Sequence, residues 1–438
     1  MTLYAGAARV CITPPIGVEL AGYGPFWGRR SQSVHDDLYA SALVFQARDK
    51  RVALVAADLI SFDATIVDQI RQLAARETGI LPTDILISCT HVHTAPTTHF
   101  LRGWGERDFE YISVLIRQIV GAIVAANCSR RPARVGSAAG DHTALPWNRT
   151  RTADHVDTSV QVLRVDADGH GPDNTIALLV NYACHPVMLG PSTAISADYP
   201  GALRGYIEST FPGAVVLFMN GACGDIDPIS NKHVWGRATF ADVDAAGREL
   251  AGEAVRIAQS IQPSDVDAVE VTNAYVDLPY REMSEEDVEQ EAATRIEHFR
   301  SGVAKHPDAK ARAEMFWRTW SSDVLEAKRS GAAKSCVRIE LQAFHIGEVV
   351  LLAIPAELYA EVGLKIKAGS GYSQTFIATC ANGNVGYIAT EQDFLAQAYA
   401  SSMAFAVYGH FPFLTEVAAI LCDAAVQLIR TEAQRRVV

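Results

Sequence analysis

Ile85-Leu86-Ile87-Ser88-Cys89-Thr90-His91-Val92-His93-Thr94-Ala95-Pro96 opens as an apolar, β-branched run and closes on two histidines one residue apart. The first half has the pattern of a buried strand. Thr-Ala-Pro then stops it, because proline has no N–H to give to a ladder. Side chains alternate along a strand, so the expectation is that His91 and His93 face the same way. Two imidazoles at a strand end can hold a metal ion, divide metal binding and proton transfer between them, or simply make loop hydrogen bonds.

Outward from this stretch the same arrangement recurs. Thr175 to Ala183 reads as a central strand inside a segment, 174–197, that contains no Asp, Glu, Lys or Arg, and Cys184-His185-Pro186 follows directly. The two strand ends are expected to lie side by side in one sheet. Val215 to Met219 is another buried strand and runs into Asn220-Gly221-Ala222-Cys223-Gly224-Asp225-Ile226-Asp227-Pro228, whose glycines permit positive φ and close backbone approach to a ligand, or a tight turn. Ala40 to Gln46 and Arg51 to Ala57 read as neighbouring strands joined at Asp49-Lys50. Asp58 is expected to cap the helix patterned over 63–77. Residues 108–127, 240–262 and 413–434 have helical spacing. Strands return at Cys336 to His345, Val349 to Ile354 and Thr375 to Thr379. Pro355-Ala356-Glu357-Leu358 is expected to open a helix, with Glu357 in its first turn favoured by the dipole. Pro146-Trp147-Asn148-Arg149-Thr150-Arg151 reads as a polar loop whose arginines either bind a substrate oxygen or are solvated. Residues 280–334, rich in Glu, Ala, Arg and Lys, read as a helical pair on the outside, acting as a lid, a partner surface or a solvated insertion.

With 438 residues, 49% of them hydrophobic, the chain can bury a large core. A formal net charge of -12 without a basic cluster argues against nucleic acid and anionic membranes as main partners. The N-terminus lacks a basic region followed by an apolar core, and the least charged stretches carry Pro, Gly, Asn and Ser, so neither a signal peptide nor a membrane span is expected. Eight scattered cysteines without a C-x-x-C pair are expected to be reduced and buried in a cytoplasmic protein. Association with a second copy stays open. The absence of a fixed-period repeat favours one α/β unit over residues 1–438, with mixed sheets flanked by helices.

The strand ends therefore offer His91, His93, His185, Asp225, Glu357 and Tyr387, and ligand sites in α/β sheets sit beyond the carboxyl ends of strands. Cys184 beside His185 is poorly placed for nucleophilic catalysis and reads as a small buried residue. In scattered blocks the chain resembles the catalytic domain of the neutral ceramidases and their bacterial relatives. The blocks are Ile12-Thr13-Pro14 with Ala21-Gly22-Tyr23-Gly24; Thr90 to Pro96; Asn148-Arg149; His185-Pro186 with Asp198; Asn220 to Pro228; Pro355-Ala356-Glu357; and Gly386-Tyr387-Ile388-Ala389-Thr390 with Tyr399 and Tyr408-Gly409.

The resemblance implies one catalytic zinc ion with His91, His185, Glu357 and Tyr387 as its ligands. It sets His93 and Tyr399 against the reacting carbonyl and its oxyanion, and gives Arg149 a part in holding the substrate. Zinc of this kind lowers the pKa of its water to about 7, so that hydroxide attacks an N-acyl amide and His93 protonates the leaving amine. Asn220 and Asp227 are the expected substrate contacts. The family's Gly-Asp-Val-Ser-Pro stands here as Gly224-Asp225-Ile226-Asp227-Pro228, so an aspartate replaces a serine near the site. The chain also ends before the family's carboxy-terminal β-sandwich. These departures point to a substrate smaller or more soluble than ceramide. The alternatives are an esterase or lactonase on the same scaffold, and a binding protein with a remnant site.

Overall fold

The computed structural model describes residues 2–24, 28–150, 155–169, 174–303 and 307–437. In chain order these form β1 (Leu3–Cys11), β2 (Ser33–Val34), β3 (Tyr39–Ala47), β4 (Lys50–Ala57), α1 (Ala64–Thr78), β5 (Ile85–Cys89), α2 (Phe109–Cys128), β6 (Arg131–Asp141), β7 (Pro146–Asn148), β8 (Ser159–Ala167) and β9 (Thr175–Tyr182). Next come β10 (Ala194–Ile195), α3 (Asp198–Thr210), β11 (Val215–Asn220), β12 (Ile226–Pro228), α4 (Phe240–Ser260), β13 (Val269–Pro279), α5 (Glu285–His298) and α6 (Pro307–Arg329). The remainder is β14 (Cys336–Ile346), β15 (Val349–Ala353), β16 (Glu357–Leu358), α7 (Ala360–Gly369), β17 (Gln374–Ala378), β18 (Tyr387–Ile388), α8 (Glu391–Leu395), α9 (Tyr399–Ser402), α10 (Ala404–Val407) and α11 (Val417–Val437).

Eight strands make one sheet in the order β11-β9-β8-β6-β1-β3-β4-β5, and four make a second in the order β13-β14-β15-β17. The alternation of Leu43, Phe45, Val52, Leu54, Leu163 and Leu179 with residues of opposite facing gives the large sheet one apolar face for Phe344, Leu351 and Phe376 of the small one. The other faces are covered by helices: α1 and α2 under β3 to β5, α3 and α4 under β8, β9 and β11, and α7 with α11 under the small sheet. The result is a mixed α/β structure with two sheets between helical layers, as the strand and helix patterns predict.

Parallel pairing places the functional segments. β4 with β5, β9 with β11, and β15 with β17 are parallel, while the other neighbours in the two large sheets are antiparallel. A parallel pair leaves from the same end, so Cys89, Tyr182, Asn220, Ala353 and Ala378 all release their loops toward one place. The expectation that β5 and β9 are neighbours is corrected: they lie near opposite edges of the large sheet. The chain following β17 draws these edges together. Thr379 N donates to Asn220 O at 2.9 Å on one side, and Asn382 N donates to Ile87 O at 2.7 Å on the other.

Several local expectations change in the fold. The β3–β4 turn is Arg48-Asp49, with Arg48 at φ 53°, because the register pairs Ala47 with Lys50. Asp58 does not cap α1: it accepts from Tyr39 N at 2.8 Å and pairs with Arg204 at 2.7 Å. Glu357 is not in a helical first turn, since it forms β16 and α7 begins at Ala360. α2 is long and apolar enough to cross a membrane by length and composition, and it packs against α1 and the large sheet. The helical pair is present as α5 and α6, inserted where β13 and β14 turn, with Pro279 opposite Cys336. Its inner face, including Val288, Trp317 and Trp320, packs on Leu101 and Phe405, so it braces the loops beside the site. Arg151 and residues 304–306 of the expected insertion lie outside the described residues.

Candidate metal centre and active site

β5 ends at Cys89, so strand alternation does not align His91 and His93. His91 takes φ 70°, and a loop aims both rings inward. His91 N donates to Leu59 O at 2.9 Å, and its ring Nδ1 donates to Ile60 O at 2.8 Å. His185 repeats the device: its N donates to Ile226 O at 2.9 Å and its ring Nδ1 to Cys223 O at 2.6 Å. A carbonyl can only accept, so each Nδ1 carries the proton and each Nε2 faces the site.

Glu357 meets both rings. Its Oε2 lies 3.3 Å from His91 Nε2 and 3.2 Å from His185 Nε2. Its position comes from the short parallel ladder of β16 and β18, in which Glu357 and Tyr387 are partners in register. Gly224 fits this backbone closely: a Cβ there would stand 2.8 Å from Glu357 O. Gly221 faces Ala183 in the same way, so both glycines of the 220–228 loop serve close approach to protein rather than to a ligand. The second carboxylate oxygen, Oε1, accepts from the Tyr408 hydroxyl, and Asn384 Nδ2 lies 3.3 Å from that hydroxyl. Tyr408 carries no expected role from sequence; its one signal there is the Tyr408-Gly409 pair of a resembling block.

The site is buried and its charge balance is unusual. His91, His185 and Glu357 are at most 2% exposed. Burial lowers the His185 pKa, assisted by the Arg149 charge. Burial, then His91 and His185, push His93 well below the ordinary imidazole range. For Glu357, burial works upward but is outweighed by the two histidines, which hold it well below the carboxylate range. With Nδ1–H given to a carbonyl, His185 Nε2 meets a Glu357 oxygen at 3.2 Å, a contact that holds only with a cation, a proton or a metal ion, between the two atoms. Two acceptors at that distance repel unless a cation sits between them. The donor set fits a metal ion on this ground. His91, His93 and His185 form a group able to hold one, with ligand atoms within 4.8 Å of one another.

His93 is thus brought into the same group as the expected ligands, with Nε2 3.3 Å from His91 Nε2. It differs from them in one respect: its Nδ1 has no partner among the described residues, so no carbonyl fixes its tautomer. Arg149 donates to Asp227 Oδ1 at 3.1 Å, Gly224 O at 2.7 Å and the Tyr387 hydroxyl at 3.1 Å. Burial alone would lower its pKa, but Asp227 and Tyr387 raise it. Asp227 is therefore occupied by Arg149 and is not a free acid for a cationic substrate. Burial, then Glu357, raises Tyr387 well above the ordinary phenol range, while Arg149 opposes this. Tyr399 begins α9 with its ring 5.9 Å from that of Tyr387, and it is 42% exposed.

These groups line a cavity of about 750 Å³ whose walls include Tyr23, Trp104, Trp147, Trp235, Tyr359 and Tyr399. His91, His185, Glu357, Asn220 and Asp225 lie outside its lining. Asn220 was expected to touch substrate, but its carboxamide accepts from Cys184 N at 3.3 Å and donates to Thr90 O at 3.1 Å, tying two ligand loops together. Asp225 accepts from Ala360 N at 2.7 Å and Asn148 Nδ2 at 2.8 Å, with burial pushing its pKa up to about 6. Cys184 is buried outside the histidine group, and burial raises its thiol well above the usual range.

No protein-family model matches the chain, and no curated protein matches it. Solved structures do. A crystal structure of neutral ceramidase from Pseudomonas aeruginosa superposes with a TM-score of 0.76 at 17% identity, covering 99% of this chain and 75% of that one. A structure described as ceramidase complexed with C2 gives 0.77 at 17% identity, covering 99% and 76%. At this identity the likeness is one of fold: the chain has the fold of the neutral ceramidases across its length, as its scattered motifs lead one to expect.

Proposed function

We propose that this chain is a zinc-dependent hydrolase of N-acyl amides, acting on a substrate smaller or more soluble than ceramide. The observation that carries the reading is the meeting of two Nδ1-anchored imidazoles and the Glu357 carboxylate next to His93 and Tyr387, which line an aromatic cavity. Two solved structures that share the fold are ceramidases by name.

In this reading His91, His185, Glu357 and Tyr387 hold the ion. Zinc in such a set supplies a Lewis acid and a water acidic enough to ionise near neutral pH. His93 lines the cavity as a neutral imidazole with Nδ1 unengaged, and it passes a proton to the leaving nitrogen. The Tyr399 hydroxyl at the rim donates to the oxygen that gains charge. Arg149, held by Asp227 and Gly224 O, keeps its charge and directs a donor at the Tyr387 oxygen. Three tryptophans wall the cavity, and the Asp227–Arg149 pair occupies the position where the family has serine, which favours a compact substrate.

The test is metal analysis of the purified protein together with hydrolysis of N-acyl amides and matched esters, before and after chelation. About one zinc per chain, amide cleavage lost with chelator and restored by zinc, is the expected result. Protein that holds no metal and cleaves nothing after zinc is added would refute the reading, and cleavage of esters alone would move it to an esterase.

A further inference from the structure

Tyr399, which in the reading above donates to the oxygen that gains charge, stands on a weak local support. Its helix, α9, runs only from Tyr399 to Ser402, and Ala398 at the N-cap has no side-chain oxygen with which to cap it. Gln397, just before, takes φ 50°, so the chain turns sharply into the helix. A helix this short is not stable on its own hydrogen bonds. Its orientation must come from elsewhere, yet Tyr399 lines the cavity with its ring 5.9 Å from that of Tyr387.

Asp393, on α8, supplies what α9 lacks. Its side chain is fully buried. Oδ2 accepts from Ser401 N at 3.2 Å, in the first turn of α9, and so caps the helix in place of Ala398. The Asp393 carbonyl accepts twice more from the same segment, from Ala398 N at 3.1 Å and from Ser401 Oγ at 2.9 Å. The other carboxyl oxygen, Oδ1, accepts from the Tyr359 hydroxyl at 2.6 Å. Tyr359 directly follows β16, and its N–H donates to Ile388 O at 3.3 Å, which continues the β16–β18 ladder. One side chain therefore joins the start of α9 to the ladder that pairs Glu357 with Tyr387.

Burying a carboxyl is unfavourable unless its oxygens are hydrogen-bonded, and a Ser or Asp at position 398 would cap α9 without that burial. What a local cap cannot give is the link to Tyr359. We propose that Asp393 is a positioning residue: by tying α9 to Tyr359 it holds the Tyr399 hydroxyl at a fixed place relative to Glu357 and Tyr387. Its effect on turnover rests on the hydrolase reading, in which Tyr399 serves the oxyanion.

The test uses zinc-loaded full-length protein, with fluorotyrosine placed at position 399 for fluorine NMR and an N-acyl amide for kinetics. Asp393→Ala is expected to lower kcat about 10- to 100-fold, as a small misplacement of a reacting group does, with KM nearly unchanged. It is also expected to shift and broaden the fluorine signal. Asp393→Asn should recover most of the loss, because its amide oxygen still accepts from Ser401 N while its NH2 donates to the Tyr359 oxygen. In a Tyr399→Phe background Asp393→Ala should cost little more, since the two act through one hydroxyl. Tyr359→Phe, which keeps the ring, should move kcat and the fluorine signal in the same direction as Asp393→Ala, and it carries the test if Asp393→Ala does not fold. A full additional loss in the double variant, or a fluorine signal unmoved by both Asp393→Ala and Tyr359→Phe, overturns the proposal. Wild-type turnover in Tyr399→Phe, or no amide cleavage by the wild type, counts against the hydrolase reading instead, and the fluorine signal then decides the positioning role without it.

Discussion

At the scale of single residues, what separates the histidines is the far side of each ring. His91 and His185 have Nδ1 committed to a backbone carbonyl, which orients the ring and leaves Nε2 as a ligand atom; His93 does not. His185→Ala is therefore expected to lose bound zinc, measured by elemental analysis after dialysis, and full occupancy would remove it from the ligand set. His93→Ala should retain zinc while kcat drops by about 10²–10⁴-fold, the range for a general acid or base; turnover near wild type would end its role. Tyr408 acts through Glu357 rather than on substrate, since its hydroxyl holds the oxygen that does not face the histidines. Tyr408→Phe is expected to weaken zinc by about 10–100-fold in a chelator competition, as loss of an outer hydrogen bond does, and unchanged affinity would make the contact incidental.

Among elements, the decisive one is too short for a pattern to announce. β16 and β18 are two residues each, yet their parallel register sets Glu357 beside Tyr387 across 30 positions of sequence (387 − 357). No periodicity identifies a two-residue strand, so Pro355-Ala356-Glu357-Leu358 reads as a helix start, and the dipole argument for Glu357 fails with it. Asn220 shows the same gap from the other side. A polar residue at a strand end in a glycine-bearing loop looks like a substrate contact, and it is instead a brace between the Cys184 and Thr90 backbones. Asn220→Ala would leave both groups buried without that partner, at a cost of roughly 1–3 kcal/mol. Denaturant unfolding should register it, whereas an unchanged midpoint with a raised KM would return Asn220 to the substrate.

The whole molecule couples its stability to pH through a carboxyl that never meets the cavity. Asp198 opens α3 at φ 53°, is 1% exposed, and accepts from Tyr199 N and Met188 N. Burial pushes its pKa up to about 7, opposed by the hydrogen bonds it accepts from backbone N–H groups. Unfolded, it would titrate near about 3.9. Between these values the folded chain binds a proton that the unfolded chain has lost, so stability falls as pH rises from about 4 to about 7 and the deficit is constant above that. Roughly three pKa units correspond to about 4 kcal/mol. Asp198→Asn should gain on wild type by an amount of that order between pH 4 and pH 8 in urea titrations; parallel pH profiles would show that the carboxyl is ionised throughout.

The sequence by itself determined the inventory. Apolar runs such as Ile85 to Cys89 and Thr175 to Ala183 are legible because a buried strand needs its burial on every side chain, and the charge patterning of 280–334 is legible because a helix must spread its charges on one face. The resembling blocks, with His91, His185, Glu357 and Tyr387 among them, led to the fold that the solved structures share. Only the tertiary structure decided how these parts meet. It placed β5 and β9 near opposite edges of one sheet and used the backbone after β17 to draw the edges together. It added Tyr408, drew His93 into the histidine group and gave Asp227 to Arg149. The physical reason is range: hydropathy acts between neighbours along the chain, while a buried charge is tolerated only beside partners that long-range sheet closure brings to it.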